Sequence, residues 1–141
     1  MNNSNSSELM DHVGRCLNQF LPPGALEQDE DGEWRVSMRR MAVFVRVVQK
    51  PEPIIHLLAR AATGVGPDAL AEINHLNVLS VRGKLFRLDN SDVFVPTTIH
   101  PAGFNAEVAE RLIDGTGEYA EEYGPMLEAV YKTAVTEAPI G

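Results

Sequence analysis

The stretch GPDALAEINHLNVLSVRGKLFRLDNSDVFVPTTIHP, Gly66 to Pro101, decides the fold: it reads as one short helix feeding an antiparallel hairpin. Pro67 at the first turn gives up a donor that has no intrahelical partner there, and Asp68 suits the positive end of the helix dipole. Leu70, Ile73 and Leu76 recur at intervals of three and share a face. Asn77 is expected to end the helix, because Asn tolerates the left-handed conformation a C-terminal cap often needs. Val78-Leu79-Ser80-Val81 then reads as a strand that continues through Gly83 into Lys84 to Leu88. Asp89-Asn90-Ser91-Asp92 is turn chemistry, and Val93-Phe94-Val95 returns as the second arm until Pro96.

On the N-terminal side, residues 1–6 read as a polar tail, with Ser6 or Ser7 able to cap a helix. Its apolar stripe is Leu9, Val13, Cys16, Leu17 and Phe20, and Pro22-Pro23-Gly24 stops it. Ala25 to Gln28 reads as a short first strand. Asp29-Glu30-Asp31-Gly32 is a turn, and Asp-Gly is a strong hairpin signal. Glu33 to Arg39 alternates: Trp34, Val36 and Met38 take one face, Arg35, Ser37 and Arg39 the other. Arg40 begins the next turn. In Met41 to Gln49, Val43, Val45 and Val47 share a face, while Ala42, Phe44, Arg46 and Val48 share the opposite one. Both faces are largely apolar, which marks a central strand. Ile54 to Ala62 fits strand or helix by periodicity; two β-branched residues after Pro53 and the Thr63-Gly64 stop favour strand. The preceding prolines are expected to place it at a sheet edge.

On the C-terminal side, Asn105 caps a helix carrying Val108, Leu112, Tyr119 and Tyr123 at helical spacings. Gly124-Pro125 is expected to break or kink it, leaving Met126, Leu127, Val130 and Tyr131 as a short terminal helix face. Residues 136–141 are expected to fray. The 141 residues are most simply one domain with an ordered core over residues 7–133.

A net charge of −8, from 12 basic and 20 acidic residues, leaves no basic surface to track phosphates, so nucleic acid is a poor fit. No apolar run approaches the roughly 20 residues that span a bilayer. One cysteine and no signal-peptide pattern fit a reducing cytoplasm. His12, His56, His75 and His100 read as scattered, so a metal site would have to be assembled across the fold. Asp29-Glu30-Asp31 lacks the rest of a calcium loop, and Gly64-Val65-Gly66 lacks the Lys-Ser/Thr ending of a P-loop. Cys16 lies on an apolar stripe and reads as a core residue rather than a reactive thiol. The acids Glu110, Asp114, Glu118, Glu121 and Glu122 form a stripe that reads first as a solvated helix face, and second as a dock for a basic partner. These residues define no catalytic, metal or cofactor site.

The order of elements, with the block Leu70-Ala71-Glu72-Ile73-Asn74-His75-Leu76-Asn77, resembles the type III secretion chaperone-like fold, and in particular the YbjN-like bacterial proteins. The hairpin from Leu85 to Val95 with its acidic turn, and the apolar and acidic helix from Glu107 to Tyr123, carry the same resemblance. It implies an α+β fold in the order α-β-β-β-α-β-β-α: an antiparallel sheet flanked by N-terminal, middle and C-terminal helices. It also implies a non-enzymatic, often dimeric module that binds a peptide of a partner protein. The expected partner surface is apolar and includes Val43, Val45, Leu57, Leu85 and Leu88. Sheet edges accept a peptide through main-chain hydrogen bonds, and neighbouring apolar grooves supply specificity. Two other readings stand beside it: a small-ligand protein or enzyme with a site assembled across the fold, and a structural homodimer. No cofactor, nucleic acid or membrane is expected.

Overall fold

The computed structural model describes residues 2–37, 42–49, 51–80 and 83–132, and side chains from residue 8 onward. The order is α1 (Asn2–Phe20), β1 (Leu26–Gln28), β2 (Trp34–Ser37), β3 (Ala42–Val48), β4 (Ile54–Ala62), α2 (Leu70–Leu79), β5 (Phe86–Arg87), β6 (Val93–Ile99) and α3 (Ala106–Tyr131). Among the described residues the strands form one antiparallel six-stranded sheet, ordered β1-β2-β3-β4-β6-β5. This is the α+β arrangement expected, with β1 making a fourth strand before α2.

Register assigns the two faces. Trp34 pairs with Val45, Val36 with Val43, Val45 with Leu57, and Ala59 with Val95. All of these side chains are buried, and they lie under α1 and α3. Val13 and Leu17 of α1 and Ile113, Ala120 and Leu127 of α3 complete the core. Thr97 on this face meets Thr116 of α3, hydroxyl to hydroxyl at 2.9 Å, so a polar pair is matched inside an apolar layer.

Ile54 to Ala62 is a strand, but it runs between β3 and β6 rather than at an edge. Pro51 and Pro53 precede its ladder and remove no bond from it. The proline inside the sheet is Pro96, since β6 continues past it to Ile99. Asn77 does not end α2, which runs to Leu79, so Val78 and Leu79 are helical and Ser80 is the cap. The strand expected over 78–88 reduces to Phe86–Arg87; Val81 and Arg82 lie outside the described residues. Asn77 instead ties the helix to the hairpin: its amide donates to the Leu85 carbonyl at 2.9 Å, and its carbonyl accepts the Leu85 N–H at 2.8 Å. Lys84 Nζ donates to the carbonyls of Asn77 and Ser80 and caps the last turn.

Helix α3 is continuous through Gly124-Pro125. Pro125 deletes one backbone donor, yet Leu127 beyond it is fully buried, and that burial outweighs the lost bond. Asn105 caps α3 as expected, accepting the Val108 N–H at 2.9 Å. Helix α1 begins at Asn2, earlier than the serine cap, because extending a formed helix adds one bond per residue fixed. The β1–β2 turn follows the Asp-Gly signal: Asp29 Oδ1 accepts the N–H groups of Asp31 and Glu33, and Gly32 takes φ +89°. Met38, Arg39, Arg40 and Met41 lie outside the described residues.

Candidate functional site

The helix layer covers one face of the sheet. On the other, register aligns Phe86 of β5 with Phe94 of β6 and Phe94 with Arg60 of β4. In the next row Pro96 pairs with Leu58, Leu58 with Phe44, and Phe44 with Arg35. A third row pairs Thr98 with His56 and His56 with Arg46. Among the described residues no helix packs on this face, and Phe44, Leu58, Phe94 and Pro96 are half-buried only by one another and their neighbours. Phe44 and Phe94 meet edge to face with ring centres 6.4 Å apart, and the Arg60 guanidinium sits 5.8 Å from the Phe44 ring centre. Phe86 and Leu88 extend the apolar strip and are 57% and 45% exposed.

The strip ends at an open strand edge. Leu88 N–H donates to the Asp92 carbonyl at 2.8 Å, so Asp92 turns its backbone groups toward β5. Alternation along the strand turns Phe94, Pro96 and Thr98 the same way, away from β4. Strand β5 pairs with Val93 and Phe94 alone. The Pro96 carbonyl and both backbone groups of Thr98 therefore face outward with no strand beside them among the described residues. This explains why a proline is tolerated here: its missing N–H would have pointed to the open side.

Of the residues expected to meet a partner, Val43, Val45, Leu57 and Leu85 are buried against the helices, and Leu88 is on the surface. The opposite parity of the same strands supplies the open face, with Phe44 beside Val43 and Val45, and Leu58 beside Leu57. The sequence carried that signal, since the alternation in β3 separates Phe44 and Arg46 from the valines.

Other candidate chemistry is absorbed by structure. The Val65 N–H donates to the Ser91 carbonyl and the Gly66 N–H to the Tyr131 carbonyl, both at 2.9 Å, so these loop amides are taken by the chain itself. His12 and Cys16 are not isolated from one another: they stand one turn apart on α1, with Sγ 3.6 Å from Nε2. His12 Nε2–H also donates to the Phe104 carbonyl at 2.9 Å, tying α1 to the loop before α3. Burial pushes the Cys16 thiol pKa up and Arg15 opposes this weakly, so the thiolate a nucleophile needs is disfavoured. Among the described residues no group of three or more His, Cys, Asp and Glu side chains is placed to hold a metal ion. Glu110, Glu118 and Glu122 are on the exposed side of α3, with Asp114 and Glu121 half-buried. No helix among the described residues is long and apolar enough to cross a membrane.

A one-sided antiparallel sheet with helices in this order defines the type III secretion chaperone class of fold. Two solved structures share it. The ExsC–ExsE complex matches at 16% identity and a TM-score of 0.65, over 86% of this chain and 94% of that one. The Yersinia pestis type III secretion chaperone SycH, in complex with a stable fragment of YscM2, matches at 12% identity and a TM-score of 0.58, over 79% and 96%. At such identities the likeness is one of fold. No curated protein matches the sequence. The family model described as T3SS (YopN, CesT) and YbjN peptide-binding chaperone 1 matches residues 7–135, and the chain belongs to that family. Its role is that of a chaperone-like peptide-binding protein.

Proposed function

We propose that this protein is a non-enzymatic adaptor that holds an extended segment of a partner protein across the open sheet face, with part of the segment pairing along β6. The observation that carries this reading is the aromatic strip Phe86, Phe94, Phe44 and Leu58 running into the unpaired edge at Pro96 and Thr98. Main-chain bonds to Thr98 would supply affinity without sequence preference, and the strip would select apolar side chains. Leu88 belongs to this surface, while Val43, Val45, Leu57 and Leu85 support it from beneath. The two structural neighbours, each a complex with a second protein or fragment, favour the same reading. The test is capture from native cell extract by the wild type and by Phe44→Ser/Phe94→Ser, with cross-links mapped by mass spectrometry. Partners lost from the double variant and cross-linked near Thr98 support the reading. Partners cross-linked to α1 and α3 and retained by the variant would refute it.

A homodimer is a second element of the proposal, supported by Leu70, Val78 and Leu79 of α2 at 45%, 82% and 68% exposure. A specific interface over them would bury at least about 1,000 Å² in total. Sedimentation at micromolar concentration decides it: a 15.5 kDa species would remove the dimer. We place the protein in the cytoplasm, where a single unpaired thiol is stable, and treat residues 1–141 as one domain.

A further inference from the structure

We propose that the segment bound on the open sheet face is acidic as well as apolar, with carboxylates received by Arg60 and Arg35. The inference rests on the peptide-binding reading above and specifies the partner's chemistry. In a chain of net charge −8, the middle of this face carries arginines. Arg60 is half-buried on the central strand, flanked by Phe94 across the ladder and by the Phe44 ring. Arg35 lies on the far side of Phe44, paired with it in register. Among the described residues neither guanidinium makes an ion pair.

Glu27, Asp29 and Glu33 lie toward the β1 side of this face, and Asp92, across from Leu88, stands at its β5 end. Glu33 is occupied by Arg46 Nε at 2.9 Å, and both ends of that pair are partly exposed. Glu27 is the cross-strand neighbour of Arg35 but forms no ion pair with it, and Asp29 accepts backbone N–H groups of its own turn. Toward β4 and β6 the strand positions of this face are Arg60, His56, Leu58, Phe94, Pro96 and Thr98, with no carboxylate among them. A guanidinium packed on a ring is partly stripped of water, and its fork of donors matches a carboxylate. Bound apolar residues would finish that desolvation and strengthen the pairing. From Arg60 to Arg35 is two strand spacings and two residues along the strands, about 12 Å in all. An extended chain covers that in about four residues, and side chains four apart point the same way, so acids spaced by four, with apolar residues between, fit the pair.

The test uses the full chain and three fluorescent 12-residue peptides that share Leu, Val and Phe positions and carry Glu, Gln or Lys elsewhere. The Glu peptide is expected to bind about tenfold or more tightly than the Gln peptide, the size of one charge-assisted hydrogen bond, and the Lys peptide more weakly than both. Arg60→Gln/Arg35→Gln should erase the Glu preference, so that the Glu and Gln peptides bind alike, with a cooperative thermal melt retained. Equal binding of all three peptides would overturn the acidic proposal and leave peptide binding standing. Binding of none would overturn both. Self-association lost in the arginine double variant would assign the face to a second copy and overturn the proposal.

Discussion

Replacing Asn77 by Ala should destabilise the protein by about 2–4 kcal/mol, although the side chain touches no partner surface and fills little of the core. Its amide makes two bonds to the backbone of Leu85, at 2.9 and 2.8 Å, and Leu85 is 1% exposed. The variant leaves a donor and an acceptor unpaired where water has poor access, at about 1–3 kcal/mol for each group. Partial relaxation around Leu85 keeps the total below the sum. Asn77→Asp retains the acceptor for the Leu85 N–H but sets a second oxygen against the Leu85 carbonyl, so it should lose at least half as much. Urea unfolding followed by circular dichroism reads the change. At a slope of about 1.5–2 kcal/mol/M the Ala midpoint falls by about 1–2.7 M. A shift under about 0.3 M for Asn77→Ala would refute the claim that this side chain joins α2 to the hairpin.

Val45→Asp sets a carboxylate at a fully buried position of β3, a cost of several kcal/mol against a total stability of about 5–15, and should abolish the cooperative melt; a transition within a few degrees of wild type would contradict the core assignment. The thiol of Cys16 should react with Ellman's reagent far more slowly in the native protein than in urea at pH 8, because burial raises its pKa. The sign of the linkage follows: the folded state holds the proton to higher pH than the unfolded chain does. This contribution is therefore full below the unfolded thiol pKa and is lost as pH rises through the folded value. Cys16→Ala should flatten the alkaline arm of the stability profile, and an unchanged arm would contradict it.

Local chemistry was legible where one residue type has one use. Asp29 and Gly32 fixed a turn, Asn105 a helix start, and the alternation of Trp34, Arg35 and Val36 a half-covered strand. It was ambiguous where a strand is apolar on both sides: Ile54 to Ala62 lacks clear alternation because β4 sits mid-sheet, with Leu57 buried and Leu58 on the aromatic strip. Val78 and Leu79 read as strand by propensity, yet both are exposed and no described residue covers them. The helix reaches them because Asn77 and Lys84 set where the chain turns, through contacts formed only when the hairpin is in place. The burial of Val43, Val45, Leu57 and Leu85, expected at a partner surface, has a related cause. Val43, Val45 and Leu57 are the more hydrophobic parity and go under the helices, while Phe44 and Arg60, a mixed parity, remain outside. Pro96 looked like a stop because sequence does not reveal which way a missing N–H points.

The most direct measurement is amide hydrogen exchange at Thr98, in the free protein and in complex with a captured partner segment. The Thr98 N–H faces the open edge of β6, so it should exchange fast in the free protein and slow by about a hundredfold or more once a strand pairs there. Protection confined to the outward faces of α1 and α3, with Thr98 unchanged, would contradict the account.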